Sequence, residues 1–242
     1  MSNPTTNDCV SILGVKVHAT DMDRALALVE SALASGDKGY VCVTGVQGVM
    51  EAQVDSNLKR IINHSVLTTP DGRPTVWVGW LRGFFKMRQV TGPDMMLKLC
   101  ALSAEKGYTH FFYGGNDGVA EQLKDSLTQR FPGMKVVGTY TPPFRALNAE
   151  EEADLIDMVA ETKPDFFWVG LSTPKQERFM DQYLSKLKVP YLGSLREAQN
   201  YVRAYSRGMG VLELPEYLAW SDWKQWEPIA EWLDSKRSQP PT

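Results

Sequence analysis

Cysteine is scarce in this chain, positive charge is not in excess, and no long apolar run occurs. Each shortage removes a class of protein. The three cysteines, Cys9, Cys42 and Cys100, are odd in number, widely spaced and set among apolar residues. They form neither a disulfide framework nor zinc-ligand spacing, and buried thiols in a reducing cytoplasm are the simplest reading. A formal net charge of −3 argues against non-specific nucleic-acid binding, which needs a basic face. No apolar stretch approaches the roughly 20 residues that span a bilayer. The opening MSNPTTNDCVSILG lacks the basic-then-apolar order of a signal peptide. The expectation is a cytoplasmic protein that meets a membrane only peripherally, at its inner face. No GxGxxG turn is followed by an acid about 20 residues onward, and no Gly-Lys-Ser/Thr is present, so a dinucleotide site and a Walker loop are both disfavoured.

What the chain does have is 242 residues and an ordinary 43% hydrophobic content, enough to bury a sizeable core. Short β-branched runs alternate with amphipathic stretches, which predicts a layered α/β fold. Val10–Val17 reads as extended around a Leu13-Gly14 turn. Asp21 is a helix cap, Ala25, Leu28, Val29 and Leu33 recur at helical spacing, and Gly36 ends that helix. Strands are expected at Tyr40–Thr44, Val66–Thr69, His110–Tyr113, Lys135–Tyr140, Phe166–Gly170 and Val189–Leu192. Helices are expected at Val49–Ile62, Thr75–Leu81, Met95–Lys106, Val119–Phe131, Ala149–Glu161 and from about Gln176. The fold class is α/β, a Rossmann-like three-layer domain with a mainly parallel sheet, over residues 1–192. An atypical helical segment follows at 193–242.

In such sheets ligands bind beyond the carboxyl ends of the strands, and four loops sit there. Gly114-Gly115-Asn116-Asp117-Gly118 offers backbone N–H groups and a helix start to phosphate, though it equally suits a turn that needs glycine. Pro70-Asp71-Gly72-Arg73 places an acid where a general base is useful, in what are also common turn residues. Ser172–Arg178 puts Lys175 at a helix start, which is unfavourable unless an anion sits there, although a solvated helix start fits as well. Thr44-Gly45-Val46-Gln47-Gly48 suits a sugar or nucleotide contact, or a plain strand-to-helix turn. Four such loops on one sheet edge point to a pocket.

Six strings occur in order: CVTGVQGVMEAQ, TTPDGRPTVWVGWLRG, VTGPDMM, HFFYGGNDGVAEQL, VVGTYTPPF and PDFFWVGLSTPKQERFM. Over about residues 39–187 they resemble the WecG/TagA/CpsF family of bacterial glycosyltransferases. The resemblance implies transfer of N-acetylmannosamine, its uronic acid or a related hexose from a UDP-sugar donor. The acceptor it implies is a polyprenyl-diphosphate-linked sugar, in teichoic acid linkage-unit or exopolysaccharide synthesis. Carried over by position, Asp71 becomes the catalytic base. Thr44, Gln47 and Arg73 become substrate contacts, and Gly114, Gly115, Gly118, Thr139 and Tyr140 line the nucleotide pocket. Gln176 holds the diphosphate or sugar, with Lys175 and Arg178 as charge partners. No cofactor and no Asp-x-Asp metal site are implied, so protein donors and helix ends would meet the leaving-group charge.

Two departures stand out. Many members carry Thr-x-Asn, where this chain has Val46. The family's Gly-Val-Gly-Ala-Ala-Phe-Asp-Phe stretch and basic tail are also absent, with only Gly193 as an echo. From Tyr191 onward six Lys/Arg face seven Asp/Glu, which is not a polybasic lipid-binding surface. Trp220, Trp223, Trp226 and Trp232 there fit an interfacial or partner-binding helix and a core-packed helix equally well. These departures leave a second expectation open, a relative of the same family that binds but does not transfer. Apolar helix faces also leave a homo-oligomer open, without counting subunits.

Overall fold

A computed structural model describes residues 8–194. The chain begins with strands β1 (Cys9–Ile12) and β2 (Val15–His18), then helix α1 (Met22–Ser35). Next come β3 (Gly39–Thr44), α2 (Val46–Val54), α3 (Ser56–His64), β4 (Leu67–Pro70), α4 (Arg73–Leu81) and α5 (Gly92–Lys106). Then follow β5 (Thr109–Gly114), α6 (Val119–Arg130), β6 (Lys135–Tyr140), α7 (Ala149–Thr162), β7 (Phe166–Gly170), α8 (Lys175–Tyr183) and β8 (Tyr191–Ser194).

β1 and β2 pair antiparallel, Cys9 opposite His18 and Ile12 opposite Val15, about the two-residue turn Leu13-Gly14. Both turn residues take positive φ, 50° and 83°, the conformation that matches the twist of a tight hairpin. The remaining strands form one six-stranded sheet in the order β4-β3-β8-β7-β5-β6, every neighbouring pair parallel. The α/β, parallel-sheet expectation therefore holds, and the small hairpin forms a separate two-stranded sheet whose Val10, Val15 and Val17 join the core on one face of the main one.

Side chains alternate cleanly across that sheet. Tyr40, Cys42, Phe111, Tyr113, Phe167, Val169 and Leu192 enter one core with buried residues of α2, α3, α7 and α8. Val41, Phe112, Phe166, Trp168 and Tyr191 enter the other with residues of α1, α5 and α6. Because both faces are covered, β3 is buried along its whole length, as parallel strands usually are.

The expected continuous helix Val49–Ile62 is two helices. Asp55, at φ −123° and ψ 95°, ends α2 and caps α3, its carboxylate accepting from the Leu58 N–H at 2.9 Å. Asp55, Ser56 and Asn57 are residues whose short polar side chains compete with helical hydrogen bonds, so the chain turns there although the apolar spacing continues. Other boundaries move slightly: β4 starts at Leu67, and α4 starts at Arg73 with a proline in its first turn. The expected segment 193–242 lies outside the described residues, except Gly193 and Ser194, which complete β8. Its four tryptophans are among the residues not described.

The strand order fixes where loops diverge. After β5 the chain crosses through α6 on one face to β6, while after adjacent β7 it crosses through α8 on the opposite face to β8. β5 and β7 therefore form the topological switch point, where a crevice opens beyond the strand ends.

Candidate active site

All six strands are parallel, so Thr44, Asp71, Gly114–Gly118, Tyr140 and Ser172–Gln176 share one edge of the sheet. At about 4.8 Å per strand the edge from β4 to β6 spans about 24 Å. Asp71 and Thr44 are immediate neighbours. Thr44 pairs in register with Pro70, and the Asp71 N–H donates to the Thr44 carbonyl at 3.1 Å. Asp71 is only 6% exposed, and the Thr44 side chain is buried as well.

Gly45 explains how these loops meet. A Cβ there would lie 2.8 Å from the Asp71 carbonyl oxygen and 3.8 Å from its Oδ2. Only glycine lets the start of α2 pass this close to the acid. Gly72 follows at φ 98°, and Thr75 Oγ1 donates to its carbonyl at 2.7 Å, locking the acid's loop onto α4. Gln47 and Arg73 stand exposed in the first turns of α2 and α4.

At the switch point Gly114 faces Gly170 in register, and the Gly115 N–H donates to the Gly170 carbonyl at 3.2 Å. A Cβ on Gly114, whose φ is 122°, would collide with that carbonyl. Gly118, in left-handed conformation, begins α6. Thr139 Oγ1 donates to Glu121 Oε1 at 2.9 Å, and the Tyr140 ring stacks on Tyr113 at 5.7 Å. These contacts tie both residues to their neighbours at the far end of the edge, five strands from Asp71.

The loop after β7 holds the most unusual burial. Gln176 is fully buried and Glu177 is 2% exposed. Glu177 Oε1 accepts from Thr173 Oγ1 at 3.0 Å and from Gln176 Nε2 at 3.1 Å. Among the described residues, Gln176 Oε1 and Glu177 Oε2 have no hydrogen-bond partner. Burial pushes the Glu177 carboxyl above its usual range, partly offset by the bonds it accepts. Glu177 was passed over in the sequence, although it sits in the Pro-Lys-Gln-Glu string. Its burial depends on which face α8 turns to the sheet. Lys175, two residues earlier, is exposed and forms no ion pair among the described residues. Arg178, expected beside a ligand, instead pairs with Asp55 Oδ2 at 2.5 Å and joins α8 to α3.

Helix caps divide into two sets. α1, α3, α5 and α7 carry side-chain caps from Asp21, Asp55, Thr91 and Asn148. The four helices that leave the sheet within a few residues of a strand end, α2, α4, α6 and α8, begin at Gly45, Gly72, Gly118 and Pro174 and have no side-chain cap. Capping normally satisfies the first N–H groups and stabilises by about 1 kcal/mol. Its omission at all four helix starts along this sheet edge leaves their positive ends to anionic groups.

The chain does contain one literal Asp-x-Asp string, Asp21-Met22-Asp23, which the expectation of no such motif overlooked. Asp21 caps α1, accepting from the Arg24 N–H at 3.0 Å, and its other oxygen faces the Arg24 guanidinium at 3.6 Å. Among the described residues no group of three or more His, Cys, Asp or Glu side chains could hold a metal ion.

Three curated relatives bear the name N-acetylglucosaminyldiphosphoundecaprenol N-acetyl-beta-D-mannosaminyltransferase. The Bacillus spizizenii protein is 25% identical over 156 residues, 64% of this chain and 59% of the relative. The Bacillus subtilis protein is 23% identical over 123 residues, 51% of this chain and 46% of the relative. The Staphylococcus aureus protein is 22% identical over 197 residues, 77% of this chain and 74% of the relative. The match thus spans only about half the length of the two Bacillus proteins. The family described as "Glycosyl transferase WecG/TagA/CpsF family" matches residues 10–196, which include every strand of the parallel sheet and each of the four loops at its carboxyl edge, and this chain belongs to that family.

Proposed function

We propose that the protein transfers a hexose, N-acetylmannosamine or a close relative, from a UDP-sugar to a sugar linked to polyprenyl diphosphate. The observation that supports this most directly is the pairing, on one sheet edge, of a buried acid with four uncapped helix starts. One group suits proton removal, and the others suit a diphosphate. The relatives' names supply the acceptor class.

In the proposed reaction an acceptor hydroxyl oxygen attacks the donor's anomeric carbon as the bond from that carbon to the UDP diphosphate oxygen breaks. Asp71 takes the hydroxyl proton, and attack opposite the leaving group inverts the anomeric centre. UDP departs with its negative charge, met by Lys175 and by the α6 and α8 helix starts at the switch point. In this reading no metal ion is required. Gln176 lies next to that departure path, its unpartnered Oε1 pointing to a role in orienting the sugar. Thr44, Gln47 and Arg73 border the acceptor side, near Asp71. The protein works on the cytoplasmic side of the cell membrane.

The test is UDP release from UDP-N-acetylmannosamine with a short-chain prenyl-diphosphate-sugar acceptor, in EDTA, beside Asp71→Asn. Acceptor-dependent release that survives EDTA and collapses in the variant supports the reading. UDP binding without transfer, across several donors, would instead favour a binding-only relative, a reading motivated by Val46 and the missing Phe-Asp-Phe stretch.

A further inference from the structure

We propose that α4 and the turn after it form a docking face for an anionic lipid surface, holding the Asp71 end of the site against the membrane. A surface helix normally turns polar residues to water, but α4 is apolar on both sides. Thr75, Val76 and Gly79 are buried toward the protein. On the opposite side, Arg73, Trp77, Trp80 and Leu81 fall within one stripe at helical spacing. Trp77 is 45% exposed, Trp80 38% and Leu81 86%, and Phe85 in the following turn is 72% exposed.

The face is held firmly. Met87 packs on Gly79 so closely that a Cβ there would strike its sulfur. The Phe84 N–H donates to the Gly79 carbonyl at 3.0 Å and the Trp80 indole N–H to the Met87 carbonyl at 3.0 Å. The Arg88 N–H donates to the Thr20 carbonyl at 2.9 Å, and its guanidinium lies 5.8 Å from the Trp80 ring centre. An ordered, exposed cluster of two tryptophans, a phenylalanine and a leucine suits the headgroup layer, where aromatic rings sit well.

Charge selects the occupant. Between Asp71 and Asp94 the sequence holds Arg73, Arg82, Lys86 and Arg88 and no Asp or Glu, in a chain whose net charge is −3. That local excess complements an anionic bilayer, and a second copy of this acidic chain has no such excess of negative charge at the same face. Arg73 and Leu81 lie about 12 Å apart along the helix axis, so the patch begins beside Asp71 and leads away from it. On the transferase reading, the face would hold the diphosphate of a lipid-linked acceptor level with the acid.

The experiment is flotation of the full chain with phosphatidylcholine vesicles, with and without phosphatidylglycerol, at low and high salt. It is run beside Trp77→Ser with Phe85→Ser, and Arg82→Glu with Lys86→Glu. The proposal expects flotation that needs phosphatidylglycerol and weakens with salt. The charge pair should lower partitioning at least about 25-fold, about fivefold for each cation lost. The aromatic pair should lower it about tenfold or more. Both variants should melt within a few degrees of the parent and use a short, water-soluble prenyl acceptor within twofold of it. Equal flotation of all forms, or variants that change only the oligomeric mass, would overturn the docking face. A chain that floats through this face yet transfers no sugar would overturn the proposed function and leave the docking intact.

Discussion

The backbone N–H of Asp71 is bonded to the carbonyl of Thr44 at 3.1 Å, across the ends of two parallel strands 27 residues apart in the chain. The bond puts an acid and a hydroxyl side by side at the carboxyl edge of the sheet, and Gly45 packs against the acid's own backbone. The acid is thus carried by two strand ends and a helix start, so its position does not depend on a free loop.

Asp71→Asn keeps the side-chain shape and the Thr44 contact while removing the base. Transfer should fall about 10²–10⁴-fold, with a melting temperature close to the parent's. Steady-state UDP release and a thermal melt, measured on the same preparation, check both halves.

Gly114 and Gly118 both take positive φ, but only Gly114 abuts a backbone carbonyl. Gly118→Ala should cost about 1–2 kcal/mol, the strain of a left-handed alanine. Gly114→Ala adds a collision with Gly170 that no side-chain rotation relieves, for about 2–5 kcal/mol in total. Urea denaturation should therefore separate two substitutions that look alike in the sequence.

Lys175 and Arg178 sit one turn apart with different partners. Lys175→Ala should raise the KM for the UDP-sugar about tenfold or more, the usual loss for a charge-assisted bond. Arg178→Ala should leave KM within twofold and slightly lower the melting temperature, because its guanidinium is engaged by Asp55. Initial rates across donor concentrations would decide it.

Glu177 imposes a pH dependence whose sign follows from burial. Its folded-state pKa is raised, so the unfolded chain ionises first as pH climbs past the ordinary glutamate value of about 4.3. Stability falls through that window and levels off once the folded carboxyl ionises too. Glu177→Gln should remove the slope, gaining on the parent as pH rises above the ordinary glutamate value of about 4.3. Urea midpoints taken across that rise measure it.

Glu151 behaves oppositely. Its bonds from Arg145 and from the Asn148 N–H hold the carboxyl down at about 2. Its contribution is present above the ordinary glutamate value and is lost as pH falls toward about 2, and Glu151→Gln should flatten that acid limb. A pH series of thermal melts checks the difference.

The sequence alone determined the alternation of strands and helices, because each element carries its own periodicity: apolar runs in β3, β5 and β7, helical spacing in α1, α5 and α7. It also located the four loops at strand ends and the acid at residue 71. Tertiary structure decided what periodicity cannot encode. The order β4-β3-β8-β7-β5-β6 makes β5 and β7 the switch point, and it sets Gly114 against Gly170, 56 positions apart. The break at Asp55 was masked by apolar spacing that runs through it, and its pairing with Arg178 joins positions 123 apart. Glu177 and Lys175 are two residues apart and chemically ordinary in the string Pro-Lys-Gln-Glu. Packing of α8 on the sheet buries the acid and leaves the cation in solvent, since a helix turns about 100° per residue and only its partner surface defines the inward face.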